Sequence, residues 1–600
     1  MCGIAAIFSY APDAPPVDEG ELLAISKAMR RRGPDGDGSW LSRDRRIGLA
    51  HRRLAIIDLS KAAAQPMALD VAGAAGGSSK KRYRITYNGE IYNFRVLREE
   101  LESRGHVFKN QSDTEVLLHL YQSYGPEMVT RLRGMYAFAI WDEERQGVFL
   151  ARDPFGVKPL YYTDDGATLR AASQVKALVA GGKAGTGVDA AGHVGFFLLG
   201  YVPEPHTLYS DIRALEAGTT MWVDRGGHRR VRRFFDVSEI LGTAGRGDAL
   251  DLHESLADSV RHHLVGDVPV GVFLSSGIDS VVVTALASEI GAGPLETMTL
   301  GFEEFRGTNR DEAPLALEAA QAYDTRHTTK WVSGKDFRKD LEALLEAMDQ
   351  PTIDGVNVYF VAKEASKMGF KVALSGLGGD EMFCGYDSFR QIPALVGALG
   401  HVPGLGLLGK GLRVVTAPLL RHMTSPKYAG LLEYGTSFEG AYLLRRGLFM
   451  PWELTQVLEP SLAEEGWRSL SPLIKLEKCH GAVSGSKRKV AALEMSFYMR
   501  NQLLRDADWA GMAHSLEIRV PLVDSVLFNA LASGLGRSGG PGKQALAMAP
   551  STPLPASIRN RSKTGFFVPV QEWIQYGAAA GPERGLRGWA KRVYGEAVKG

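Results

Sequence analysis

Apolar positions recur at two different spacings along this 600-residue chain, and the spacing changes near residue 245. Before that point short β-prone runs dominate, over residues 3–8, 46–49, 83–87, 136–141, 148–152 and 160–162. Between them, residues 21–31, 94–104 and 113–124 carry apolar side chains at helical spacing. Asp113 suits a helix start, with Glu115 in the first turn, where the macrodipole favours acids. The pattern predicts a sheet-rich α+β domain to about residue 210. A Gly-rich, charge-mixed stretch, 243–248, reads as a linker. Beyond it a helix (251–264), a buried strand (268–274), a helix (279–289), a strand (295–302), a helix near 313–323 and a strand (371–374) alternate. Strands alternating with helices predict a parallel, doubly wound sheet. From about Phe389 the pattern is mostly helical.

Composition narrows the class. Apolar residues make up 45% and charged residues 23%, which is ordinary for a soluble globular chain, and the length calls for two or more domains. A net charge of +2 gives no case for nucleic acid or a membrane as partner. The densest basic run, Arg229, Arg230, Arg232 and Arg233, alternates with Val231 and predicts a solvated strand face. Three scattered cysteines, Cys2, Cys384 and Cys479, argue against a disulfide framework and for a reducing cytoplasm. Residues 393–420 are apolar but broken by His401, Pro403, Lys410, Arg413 and several glycines. Buried or amphipathic helices fit them better than a membrane span.

The chemistry begins at Cys2. Once Met1 is removed, the thiol sits beside its own α-amine, and an N-terminal amine can serve as base to a nucleophile. Behind it come Arg32-Gly33-Pro34-Asp35, His51-Arg52-Arg53-Leu54, Asn88-Gly89-Glu90-Ile91-Tyr92-Asn93, Ser112-Asp113-Thr114-Glu115 and Arg152-Asp153-Pro154-Phe155-Gly156. Each piece alone reads as a turn or a solvated face. Together, in this order behind an N-terminal cysteine, they closely resemble class II glutamine amidotransferase domains, over residues 2–215. The resemblance implies a four-layer αββα sandwich of the N-terminal nucleophile type. It also implies that Cys2 releases ammonia from glutamine and that Asn88 and Gly89 form the oxyanion hole. Arg53 would clamp the α-carboxylate and Asp113 the α-ammonium, with Leu54, Ile57 and Glu90 lining the pocket.

A second constellation lies past the linker. The strand before Ser275-Ser276-Gly277-Ile278-Asp279-Ser280 runs into a small-residue loop and then a helix, an arrangement that gathers backbone N–H groups on phosphate. The loop resembles the S-G-G-x-D-S pyrophosphate loop of ATP pyrophosphatases, with Ser276 in place of glycine. If that position needs positive φ, serine is strained; if not, its hydroxyl adds a donor. A second loop, Ser375-Gly376-Leu377-Gly378-Gly379-Asp380-Glu381, follows the strand at 371–374. By resemblance it faces the first, Leu274, Leu300, Ser375 and Gly376 hold adenosine, and Asp279 with Asp380 hold Mg²⁺ on the pyrophosphate. Lys563, in Arg561-Ser562-Lys563-Thr564-Gly565-Phe566, would stabilise the leaving phosphate. The roles of 349–354 and 506–521 stay unassigned, with core or interface packing as the default.

From end to end the chain resembles the glutamine-hydrolysing asparagine synthetase family, with a synthetase domain expected over 245–590. The implied reaction uses glutamine, ATP and aspartate and passes ammonia through a dry passage between the two sites. The family generally has an acid at the position of Leu377, so another carboxylate, such as a uronic acid, stays open as acceptor. The expected partners are these small molecules, in a cytoplasmic protein, with a homodimer as an open assembly.

Overall fold

The computed structural model describes residues 2–71, 80–245, 250–291, 293–420, 426–537, 539–561, 569, 573 and 585–598. The first strands along the chain are β1 (Gly3–Ser9), β2 (Gly36–Leu41), β3 (Ile47–Arg53), β4 (Met67–Val71), β5 (Lys80–Ile91) and β6 (Gly134–Asp142). There follow β7 (Gly147–Arg152), β8 (Tyr161–Asp164), β9 (Thr168–Ala172), β10 (Ile212–Ala214), β11 (Thr219–Asp224) and β12 (Arg229–Arg233). Among the described residues they form two sheets, ordered β10-β8-β9-β1-β3-β2 and β12-β11-β7-β6-β5-β4.

Side-chain alternation makes the layers. Ile4, Ala6 and Phe8 of β1 meet Ala137, Ala139 and Trp141 of β6 in a buried cluster between the sheets. The opposite side chains of β1, Ala5 and Ile7, pack under the helices Glu19–Ala28 and Val175–Ala180. On the far side Ile85, Tyr87 and Phe138 pack against the helices Phe94–Ser103 and Asp113–Tyr124. Helix, sheet, sheet and helix give the αββα sandwich. β12 is an edge strand with all five residues exposed, as the arginine alternation predicts.

The second half holds β13 (Val270–Phe273), β14 (Glu296–Phe302), β15 (Arg326–Val332), β16 (Val372–Leu374) and β17 (Glu517–Arg519). They order as β15-β14-β13-β16-β17, with every pairing parallel. Helices Leu252–His263, Ile278–Ile290 and Ala313–Ala322 cover one face. Helices Val356–Lys367 and Arg505–Met512 cover the other. The sheet is doubly wound as expected. Strand order reverses at β13, so a crevice opens at the carboxyl ends of β13 and β16, the place where such sheets bind ligands.

Two sequence expectations need comment. Residues 246–248 of the linker lie outside the described residues. Residues 393–420 fall in helices Ser388–Leu399 and Leu405–Leu420, but the second is not buried: Leu407 and Leu408 are 80% and 73% exposed.

Candidate active site

β1 delivers Cys2 to the end of the sandwich, and its side chain is buried. The Cys2 nitrogen, a peptide N–H while Met1 is attached and an α-amine once it is gone, donates to Asn88 Oδ1 at 2.8 Å. Asn88 is fully buried, and its Nδ2 has no hydrogen-bond partner. Next to it Gly89 has φ +154°, and an added Cβ would lie 2.1 Å from the Met135 carbonyl oxygen. Only glycine lets β5 and β6 close there. A buried donor left unpaired costs about 1–3 kcal/mol. Beside a nucleophile, it is what a developing oxyanion requires.

Burial pushes the Cys2 thiol up. His51 is no competing base: burial lowers its imidazole to about 3, too weakly basic to take a proton from a thiol. Leu54 is buried with its carbonyl oxygen 4.0 Å from Cys2 Sγ, and Ile57 packs beside it. Arg53 donates to the carbonyl oxygens of Asp58 and Ser60, which fixes the guanidinium. Asp113 opens its helix as expected, with Ser112 as cap. It accepts from Tyr87 Oη at 2.8 Å and from Ile91 N at 3.0 Å, while burial pushes its carboxyl up to about 6. Glu90 is buried too, but its carboxylate faces the second domain, 3.8 Å from Arg519.

The interface between the halves holds groups that motif matching left without roles. Arg32 is 2% exposed. Its Nε donates to the Cys2 carbonyl oxygen at 3.0 Å, and its two terminal nitrogens donate to Asp508 at 2.7 and 2.9 Å. One guanidinium thus spans Cys2 and the other domain. Asp349 accepts from the N–H groups of Val175 and Lys176, and Thr352 donates to Asp506. Segments 349–354 and 506–521 are therefore interface segments. Glu517 and Arg519 of β17 are fully buried and paired at 2.6 Å, and the Arg519 carbonyl accepts from Ser375 N at 2.8 Å. Glu90 and Glu517 both bear on the Cys2 thiol, so a short stretch of buried charge runs from Cys2 to the loop that begins at Ser375.

That loop and the first line a cleft of about 500 Å³. Leu274, Ser275, Ser276, Gly277, Asp279, Ser280, Leu300, Ser375, Gly376 and Asp380 all reach it, as expected from the motifs. The loops touch closely: a Cβ on Gly376 would lie 2.6 Å from Ser280 N, and one on Gly379 2.4 Å from Asp279 Cγ. Ser276 is not at positive φ, so the serine is unstrained; its hydroxyl bonds Arg561. Lys543, which the motifs did not mark, bridges the acids: Nζ pairs with Asp279 and, at 2.8 Å, with Asp380. A lysine at the start of a helix carries no local signal of this. Glu381 is fully buried at the cleft, its carboxyl raised to about 8 by burial and by Asp380. It accepts from Tyr386 Oη at 2.9 Å, and its Oε2 has no hydrogen-bond partner. Lys563 lies outside the described residues.

Known proteins match both halves. The family model for the glutamine amidotransferase domain matches residues 1–235, and that for asparagine synthase matches residues 251–584. Glutamine-hydrolyzing asparagine synthetase 1 of Bacillus subtilis (strain 168) is 33% identical over 583 residues, 96% of this chain and 88% of its own. Glutamine-hydrolyzing asparagine synthetase 3 of the same organism is 30% identical, covering 87% of this chain and 79% of its own. Glutamine-hydrolyzing asparagine synthetase B of Escherichia coli (strain K12) is 33% identical over 66% of each chain. With one relative aligned over nearly its whole length, the chain belongs to the glutamine-hydrolysing asparagine synthetase family.

Proposed function

We propose that this protein makes asparagine from aspartate, glutamine and ATP, releasing glutamate, AMP and pyrophosphate. The observation that carries the reading is Asn88, whose Oδ1 holds the Cys2 nitrogen while its Nδ2 stays unpaired, in a chain whose other half presents two facing phosphate loops.

Cys2 sulfur attacks the side-chain amide carbon of glutamine after giving its proton to the α-amine. Asn88 Nδ2 and the Gly89 N–H meet the oxyanion. The C–N bond breaks, and ammonia leaves with the proton returned by the amine. Water then cleaves the thioester to glutamate. Arg53 holds the α-carboxylate and Asp113 the α-ammonium, in a pocket with Leu54, Ile57 and Glu90.

In the cleft, the aspartate carboxylate attacks the α-phosphorus of ATP and pyrophosphate departs. Ammonia then displaces AMP from the acyl carbon. Leu274, Leu300, Ser375 and Gly376 hold adenosine, and Ser275, Ser276, Gly277 and Ser280 the phosphates. Asp279 and Asp380 are the residues for Mg²⁺, and the lysine ammonium seated between them supports a cation site. Bound there, Mg²⁺ would neutralise phosphate charge. Lys563 would add its charge to the leaving phosphate. Leu377 leaves the cleft without the acid expected there, and Glu381, which lines the same cleft, would stand in for it, as an acid below about pH 8 and as a base above. The unpaired cysteines fit a cytoplasmic enzyme, and a homodimer is the assembly to test.

The test is pyrophosphate release with glutamine and ATP, with and without aspartate, alongside mass detection of asparagine. Release that requires aspartate is expected. Release with a uronic acid but not with aspartate would overturn the acceptor and leave the amidotransferase chemistry standing.

A further inference from the structure

The helix Leu405–Leu420 is packed the wrong way round for a soluble protein. Its small and charged side faces the molecule. A Cβ on Gly409 would lie 2.5 Å from Glu433 N, and Arg413 pairs with Glu433 while lying 4.4 Å over the Trp452 ring. Its apolar side faces outward: Leu407, Leu408, Val414 and Val415 are 80%, 73%, 64% and 76% exposed. At about 100° per residue these four, with Gly411 between them, fall in one arc of roughly 120°. Val402 and Tyr428, 49% and 59% exposed, extend the apolar surface beside the helix. A patch of this kind on a soluble chain marks an interaction surface.

The charge around it is one-sided. Between Asp387 and Glu433 the sequence has no acidic residue; Arg413 is neutralised by Glu433 on the inward side, while Arg390 and Lys410 are basic and exposed. The whole-chain balance of +2, which argued against a membrane partner, hides this local asymmetry. We infer that this helix docks the enzyme on the surface of an anionic lipid bilayer, with the arc of leucines and valines in the acyl boundary and the exposed basic side chains Arg390 and Lys410 on lipid phosphates. The helix is about 24 Å long, short of the roughly 20 apolar residues that a span needs, so it lies in the interface. A second copy is the poorer occupant. Face-to-face pairing would bring two basic segments free of acids together, whereas a convex apolar ridge with a basic surround matches acyl chains beneath a negative headgroup layer.

The test is co-sedimentation of the full chain with phosphatidylcholine vesicles, with and without phosphatidylglycerol. The expectation is binding that phosphatidylglycerol strengthens roughly tenfold and salt reverses. Leu408→Glu with Val415→Glu should weaken it by roughly tenfold or more, with the melting temperature and pyrophosphate release of the parent retained. Lys410→Glu should reduce the preference for phosphatidylglycerol. Failure of the parent to bind phosphatidylglycerol vesicles at low salt would overturn the proposal, as would equal binding by the double variant. Dimers of the parent that the double variant dissociates without lipid would assign the face to a second copy instead.

Discussion

The two active sites hold their charges in opposite ways. Around Cys2 a neutral donor, Asn88 Nδ2, is left without an acceptor inside a closed sandwich. In the cleft of the second half the facing carboxylates Asp279 and Asp380 are not left open, because they share Lys543, and the unpartnered oxygen there is Glu381 Oε2, on a carboxyl that burial and Asp380 raise to about 8. The difference follows from magnitude. One unpaired neutral donor costs about 1–3 kcal/mol and can be built in permanently. Two adjacent carboxylates without a counter-charge would repel and take up protons. A neutral site of this kind can be preorganised; a pair of facing carboxylates must carry a cation, here Lys543.

Five measurements test that contrast, taken from the largest expected effect. Cys2→Ala should lower glutamine-dependent synthesis by roughly 10⁴-fold or more, with synthesis from ammonium salts retained. Equal loss of both would mean the sites are not separate. Asp279→Ala should lower pyrophosphate release by roughly 10³-fold and spare glutamate production; normal release removes Asp279 from the phosphate site. Asn88→Ala should cost glutaminase kcat about 10²-fold, with glutamine KM little changed, because the donor acts on the oxyanion. A loss confined to KM would make it a substrate clamp. Lys543→Met should tighten Mg²⁺ binding to the ATP-free enzyme roughly tenfold in calorimetry, since the ion no longer displaces an ammonium; weaker or unchanged binding would break the contrast.

The smallest effect is in pH. Asp113 is held at about 6 by burial, so it is ionised above that pH and neutral below. A clamp for an ammonium works only when ionised. Glutamine KM should therefore be level above about pH 6 and rise a few-fold as pH falls through it, while aspartate KM shows no break there. A level glutamine KM across that range removes Asp113 from the clamp.

Much of this was legible in the sequence, and the exceptions share a cause. β6 and β7 follow from alternating apolar runs, and the helix Asp113–Tyr124 from its acidic first turn. β17, Glu-Ile-Arg, lies in a segment to which the sequence assigns no role beyond core or interface packing, and all three of its residues are buried. Its charges are paired with each other and with Glu90, and tertiary context overrides propensity. The loops of the cleft were visible because backbone needs fix their small residues. Lys543 and Asp508 were not, because a lone lysine and a lone aspartate gain meaning only from partners hundreds of residues away. The outward face of Leu405–Leu420 was missed because apolar spacing gives the side of a helix and not the direction it turns.

The guanidinium of Arg32 has a consequence for how such chains diversify. Because Asp508 grips it in a bidentate fork while it grips the Cys2 carbonyl, neither half is a free-standing module. A donor half grafted onto a foreign acceptor half that lacks this aspartate would enclose an orphaned cation, a penalty of about 3–5 kcal/mol. It would also lose the strut behind its own nucleophile. Recombination among relatives must then carry arginine and aspartate together, and a chimera that ignores the pair should fail first at glutamine and only later at ATP.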